Sequence, residues 1–295
     1  MNHVHIAIFD RSHSWLIMKE EIYTSLFYWL SQLGYNVTMA TSRLESKALN
    51  IIVGLQYLSK EQIRTITKTQ FDFGLFDVEF VAEGMVNFKP ETSWLFAGEG
   101  RRFFERCRFF LSYFKDSVAM LRDLGVFSQH FVPGYCPLLE TAGRISEADK
   151  SIDVLFFGNV DNYRQPMLER IAKGATLTVR TPKDVTPLFL RNALAQQARI
   201  VLSLGRARPF GHIGPMRLVA MAHLRAFSLS EAAAWPQPEI NDLCAFFEHG
   251  QDPLESILAW LHTPALRQQQ AEAAYARIRG IDPLASLGAA LEYRP

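Results

Sequence analysis

Cysteine is scarce in this chain: the three present, Cys107, Cys136 and Cys244, are odd in number, far apart and outside any Cys-x-x-Cys or His/Cys spacing. That excludes a disulfide framework and a cysteine-based zinc site, and it suits a reducing compartment. Net charge is equally lacking, because 31 Lys and Arg stand against 30 Asp and Glu, for a formal charge of +1. No global field is available to hold DNA, RNA or an anionic membrane, so any basic site has to be local. Long apolar runs are missing too. None approaches the roughly 18 residues of a membrane span, and the apolar segment at 4–9 breaks at Asp10, too early for a signal peptide. The expectation is a protein without nucleic-acid partners or an integral membrane segment, cytoplasmic or peripheral to the inner face of a membrane. Neither an internal repeat of solenoid period nor a low-complexity stretch is present.

What the chain does have is material for a core. Its 295 residues are 48% hydrophobic and 21% charged, which suits one large domain or two of about 150 residues. Residues 4–9 read as a strand, 15–33 as a helix stopped by Gly34, and 37–40 as a second strand. Strand signals continue at 50–54 and 75–81. Residues 103–114 mix Arg and Phe and read as a helix, then a short strand; an acceptor groove and plain core both accommodate that composition, with core favoured. Residues 116–124 form a helix with Asp116 as N-cap and Gly125 as stop.

Between 137 and 151 the sequence turns polar (ETAGRISEADKS), as a linker does. The pattern then restarts, with strands at 152–157, 175–179, 199–204 and 226–229. Helices alternate with them at 165–173, 185–197 and 215–224, the last with Pro215 at its first turn. Residues 252–279 are helical, interrupted at Pro264. Strands that are apolar throughout belong in parallel sheets covered on both faces.

Charge patterning is the most informative feature. From Asp184 to Glu231 there is no acidic residue, yet Arg191, Arg199, Arg206, Arg208, Arg217 and Arg225 fall in the interval, joined by His212 and His223. That suggests an anion site. Its best-placed part is the loop 205–214, carrying Arg206, Arg208, His212 and Gly214 between a buried strand and the helix opening at Pro215. Free N–H groups and the positive helix end face such a loop, and glycines let a phosphate approach. Surface arginines snorkelling over apolar neighbours give the same pattern. A second constellation, GNVDNYR (158–164), follows the strand at 152–157. Gly158 permits a tight turn under a ligand, with Asn159 beside it and Arg164 within reach of a phosphate or ribose; an ordinary turn has the same composition. In the first half, Asp10 and His13 at a strand end are candidates for a general base, or else a helix cap and a loop residue.

These segments resemble a family. IDVLFFGNVDNYR (152–164), ARIVLSL (198–204), MRLVAMAHLRAFSLSE (216–231), LESILAWLHTPALRQQQAEAAYARI (254–278) and, in the first half, HFVPGYCP (130–137) are similar to the CgeB-like, spore-maturation-type glycosyltransferases of the GT-B class. The resemblance implies an α/β protein of two Rossmann-like domains facing each other across a cleft. It gives 1–145 as the acceptor domain and 146–295 as the nucleotide-sugar donor domain. It implies metal-independent transfer of a sugar from a nucleotide-activated donor to a hydroxyl of a glycan or other acceptor, with no cofactor beyond the substrate. Gly158, Arg164 and Arg217 fall at the donor site, and Glu231 matches the family's Ser-Glu after the strand. Two glutamates eight positions apart, common in retaining GT-B enzymes, are replaced by Gly211 and Val219. A non-catalytic GT-B-like binding or regulatory subunit is the alternative.

Overall fold

The structure is a computed structural model that describes residues 2–9, 16–17, 19–141, 143–184, 186–205, 214–233 and 237–293. The chain divides into two compact units. One comprises Met1–His13, Ser25–Val132 and Asp282–Pro295, and the other Ser14–Thr24 and Pro133–Ile281.

The first unit is built on β1 (His3–Ile8), β2 (Asn36–Thr41), β3 (Leu49–Val53), β4 (Asp72–Asp77), β7 (Phe110–Ser112) and β8 (Ser128–His130), which form one parallel sheet in the order β2-β1-β3-β4-β7-β8. A hairpin of β5 (Val81–Ala82) and β6 (Met85–Val86) stands apart from it. Helices α1 (Glu20–Gln32), α2 (Lys60–Lys68), α3 (Gly98–Glu105) and α4 (Lys115–Asp123) punctuate the strands. All five side chains of β3 (LNIIV) are buried, as befits a central strand covered on both faces. The Arg/Phe-rich segment is core: Phe103, Phe104, Phe109 and Phe110 are at most 1% exposed. Each such ring contributes roughly 1.5–3 kcal/mol by leaving water. Gly74 on β4 is required by this packing, because a Cβ there would lie 2.3 Å from the Phe109 ring.

Two local expectations shift. The α4 helix is preceded by Phe114, not capped by Asp116, whose carboxylate lies in the first turn, where the positive helix end still favours it. The strand expected at 75–81 lies at Asp72–Asp77, so its last residue is a buried carboxylate, not a valine.

The second unit has β9 (Ile152–Phe157), β10 (Leu177–Arg180), β11 (Ala198–Ser203), β12 (Ser228–Glu231) and β13 (Ala245–Phe247), all parallel, in the order β10-β9-β11-β12-β13. Its helices are α5 (Arg164–Ile171), α6 (Leu188–Gln197), α7 (Pro215–His223), the short α8 (Pro238–Asn241), α9 (Pro253–Leu261) and α10 (Pro264–Arg279). Glu20 and Glu21, which open α1, belong to this unit and bond within it. Glu21 pairs with Arg191 at 2.6 Å with both side chains 10% exposed, and Glu20 accepts from the Leu188 amide at the start of α6. The final helix, α11 (Leu284–Glu292), belongs to the first unit, where Arg108 donates to the Leu291 carbonyl (2.6 Å) and to that of Tyr293, and Tyr293 stacks on Phe127. Among the described residues, no helix is long and apolar enough to cross a membrane.

His223 closes α7 inside the core. Its Nδ1 lies 2.7 Å from the Val219 carbonyl, and its Nε2 accepts the Cys136 amide at 2.8 Å, an arrangement that requires the neutral ring. Burial lowers its pKa below the ordinary value of 6.5. Unfolded chains therefore take up a proton that the native state refuses, so this contribution is fully present above pH 6.5 and is lost as pH falls below it. Urea midpoints at pH 7.5 and 5.5 should show the native protein losing more stability on acidification than His223→Gln. Equal losses would remove His223 from the account.

Candidate functional site

In an open parallel sheet, ligands bind beyond the carboxyl ends of the strands where the strand order reverses. In the second unit the chain runs from β9 outward to β10, then returns to β11 on the other side of β9, so the reversal lies between β9 and β11. Three turns and one helix end meet there.

The turn after β9 begins at Gly158, whose φ of +141° side-chain-bearing residues rarely adopt. Its amide donates to the Arg180 carbonyl at 2.9 Å, locking the turn to β10. Asp161 then accepts from the amides of Tyr163 (3.1 Å) and Arg164 (2.9 Å), an Asx turn that launches α5. Arg164, 6% exposed, folds its guanidinium back into the turn. Nη1 donates to the Asn159 carbonyl (2.8 Å), Nε to that of Gly205 (2.7 Å) and Nη2 to that of Leu204 (2.7 Å), while the plane lies over the Phe156 ring. One side chain thus stitches the turn after β9 to the turn after β11.

Glu231, the last residue of β12, binds the same turns from the other side. Its side chain is 1% exposed, and its carboxylate accepts from the Gly205 amide (2.8 Å), the Gly250 amide (3.1 Å) and the Tyr163 hydroxyl, with His249 Nδ1 at 2.9 Å. Burial, then the Glu231 carboxylate, push the Tyr163 phenol well above the ordinary tyrosine range. A Cβ at Gly205 would stand 2.9 Å from the Glu231 carboxylate, so a side chain there would push the carboxylate aside.

The helix end is that of α7. Gly214, exposed and with open space where a Cβ would be, is its N-cap, and Pro215 sits at the first position, where an amide would have no partner in the helix. Arg217 lies in the first turn, with Nη2 3.5 Å from the place a Cβ on Gly158 would occupy; Arg164 Nη1 is 3.6 Å from that point. Two guanidinium groups therefore flank one glycine at the strand reversal, beside the positive end of a helix.

The structure thus brings Gly158, Asn159, Arg164, Arg217 and Glu231 to one edge of the sheet, with Gly214 opening α7. Asp10, His13, Arg206, Arg208 and His212 lie outside the described residues. Three of the interval's described arginines are paired with acids from elsewhere in the chain: Arg191 with Glu21, Arg199 with Asp153 (2.5 Å) and Arg225 with Glu272 (3.0 Å). His223 adds no charge, because it is held neutral inside the core. Of the described arginines in that interval, Arg217 alone reaches Gly158. Sequence reading passed over Tyr163 and His249; the signal for His249 was its place just after a strand, in FEHG, but β13 is only three residues long. Val219 is fully buried in the core. Among the described residues, no three His, Cys, Asp or Glu side chains are grouped as metal ligands would be.

No family model matches the chain, and no curated protein matches it in sequence. Solved structures do match in shape. HepE from Anabaena, solved with UDP and glucose, superposes with a TM-score of 0.60 at 10% identity, covering 99% of each chain. The chain has the GT-B fold. Sucrose-phosphate synthase from Thermosynechococcus elongatus matches at 0.56 and 10% identity over 99% of this chain and 97% of that one. A putative UDP-N-acetylglucosamine 2-epimerase from Listeria monocytogenes matches at 0.51 and 11% identity, over 100% and 98%. At these identities the likeness establishes the fold alone, because one GT-B scaffold carries transfer and epimerisation alike.

Proposed function

We propose that this protein is a GT-B glycosyltransferase that binds a nucleotide-diphosphate sugar at the β9/β11 strand reversal and transfers the sugar to an acceptor hydroxyl, without a metal. The observation that carries the reading is Gly158 flanked by Arg164 and Arg217 beside the N-terminus of α7. There the diphosphate meets a bare backbone and fixed cations beside the positive end of a helix, and the sequence between β11 and α7 adds Arg206, Arg208 and His212. That HepE has been solved with UDP and with UDP-glucose supports the ligand class.

In the reaction, the acceptor oxygen bonds to the anomeric carbon as that carbon's bond to the diphosphate breaks. The acceptor proton passes to a general base, and the nucleoside diphosphate leaves with the electron pair. Arg217 and the helix end stabilise the charge that grows on the leaving group, the largest electrostatic demand of the step. Arg164 and Glu231 act by holding the two turns in place. Asp10 or His13 is proposed as the base. The donor domain is the second unit and the acceptor domain the first. The motif resemblance narrows the proposal to a CgeB-like enzyme working in the cytoplasm or at the inner face of a membrane. Val219 in the core supports the other reading, a GT-B-like subunit that binds nucleotide without turnover, because the usual grip on the donor sugar is gone.

A thermal-shift panel of UDP, GDP, CMP, dTDP and ADP separates these readings. One nucleotide should stabilise the wild type, and Arg217→Ala should weaken its binding about 10- to 100-fold. Consumption of the matching nucleotide sugar with release of the diphosphate then marks transfer, and binding without turnover marks the subunit. No shift with any nucleotide would end the transferase reading and leave a non-catalytic subunit that binds a partner.

A further inference from the structure

At the opposite, amino-terminal edge of the second unit's sheet lies a cavity of about 310 Å3. Its wall includes the polar segment 144–150 and the residues leading into β12. We propose that this cavity is a second ligand site, separate from the strand-reversal site, and that it takes a small dianion of the phosphate or phosphate-monoester class.

Charge argues for the dianion. Arg144, Lys150, Arg225 and Arg267 line the cavity against only Glu147 and Glu272. Each carboxylate is shared by two cations: Glu272 holds Arg144 (2.7 Å) and Arg225 (3.0 Å), and Glu147 holds Lys150 (3.1 Å) and Arg267. Two positive charges are left over in a space walled on one side by Leu224, Ala226 and Phe227. Arg267 and Lys150 are 3% and 12% exposed, so water only partly screens this excess and it attracts an anion.

Two further observations point the same way. Arg267 is 2% exposed, and its Nε is a buried donor with no acceptor among the described residues, although both other guanidinium nitrogens are engaged. A buried donor in this position calls for an acceptor from outside the chain, a water or an anion. Arg225 occupies the left-handed position that ends α7, with φ +49°, where Ala226 donates to the Met221 carbonyl (3.0 Å) in the pattern glycine normally serves. A side chain kept against that backbone preference is explained by what it does: it bonds Glu272, lies 3.5 Å above the Tyr275 ring and faces the cavity.

The test is isothermal titration of the full chain at pH 7.5 with inorganic phosphate and, separately, with glycerol 2-phosphate. Saturable one-to-one binding is expected for at least one. Tighter binding of glycerol 2-phosphate identifies an organic phosphate as the natural class, and equal binding identifies the phosphate group alone. Arg225→Gly, which suits the left-handed backbone, and Arg144→Gln, at a side chain 57% exposed, should each weaken binding about tenfold. Arg217→Ala should leave it unchanged. If Arg225→Gly fails to fold by circular dichroism, Arg144→Gln decides. Absence of saturable binding, binding indifferent to Arg144→Gln, or binding abolished by Arg217→Ala would each overturn the proposal.

Discussion

Replacing Glu231 with alanine is expected to destabilise the second unit by about 2–3 kcal/mol, because it removes a buried carboxylate shared by three half-buried donors. The amides of Gly205 and Gly250 and the hydroxyl of Tyr163 all point at this carboxylate, which is 1% exposed. For a unit of this size that is a drop of up to about 10 °C in melting temperature. Glu231→Gln should lose less, since the amide oxygen still accepts while its nitrogen faces donors. A melting temperature for Glu231→Ala within 2–3 °C of wild type, roughly 1 kcal/mol, would show that water replaces the carboxylate without cost. The carboxylate joins the turns after β9, β11 and β13, so nucleotide affinity should fall together with stability.

Arg164→Ala is expected to cost about 3–4 kcal/mol, since three main-chain carbonyls lose a buried, charged donor at once. Arg164→Lys should recover little of it. An ammonium is a compact point charge, whereas these carbonyls are met by the fixed fork of a guanidinium lying over Phe156. Urea denaturation of the two variants tests this. If lysine restores more than half of the lost stability, the fork geometry is irrelevant and only the charge matters.

These two residues show how far the sequence could be read. Arg164 was legible as a functional candidate because it follows a strand, a glycine and an Asn/Asp turn. Which of its neighbours it would hold was not, since the Leu204 and Gly205 carbonyls lie some forty positions away in the chain. Glu231 stood out only as the first acid after a long basic stretch and as a motif match. Its role as the junction of three turns arises because β12 lies between β11 and β13, a neighbour relation that no local window contains. The acid-free interval looked like a single anion site, yet Arg191, Arg199 and Arg225 each find a carboxylate from a distant segment. Charges pair through space, and a one-dimensional run of one sign says little about the three-dimensional sum.

The sequence by itself determined the layering. Short apolar runs such as IDVLFF and RIVLSL can be satisfied only between two covering layers, and their alternation with helical periodicity dictates parallel sheets in both halves. It also determined local punctuation, such as the turn at Gly158 and the start of α7 at Pro215, because backbone sterics act within a few residues. The tertiary structure alone decided that Asp282–Pro295 returns to the first unit, that Glu21 answers Arg191, and that Gly158 and Arg217 meet at the strand reversal. Those outcomes depend on strand order and packing, in which residues far apart in the chain become neighbours, and side-chain periodicity carries no record of that order.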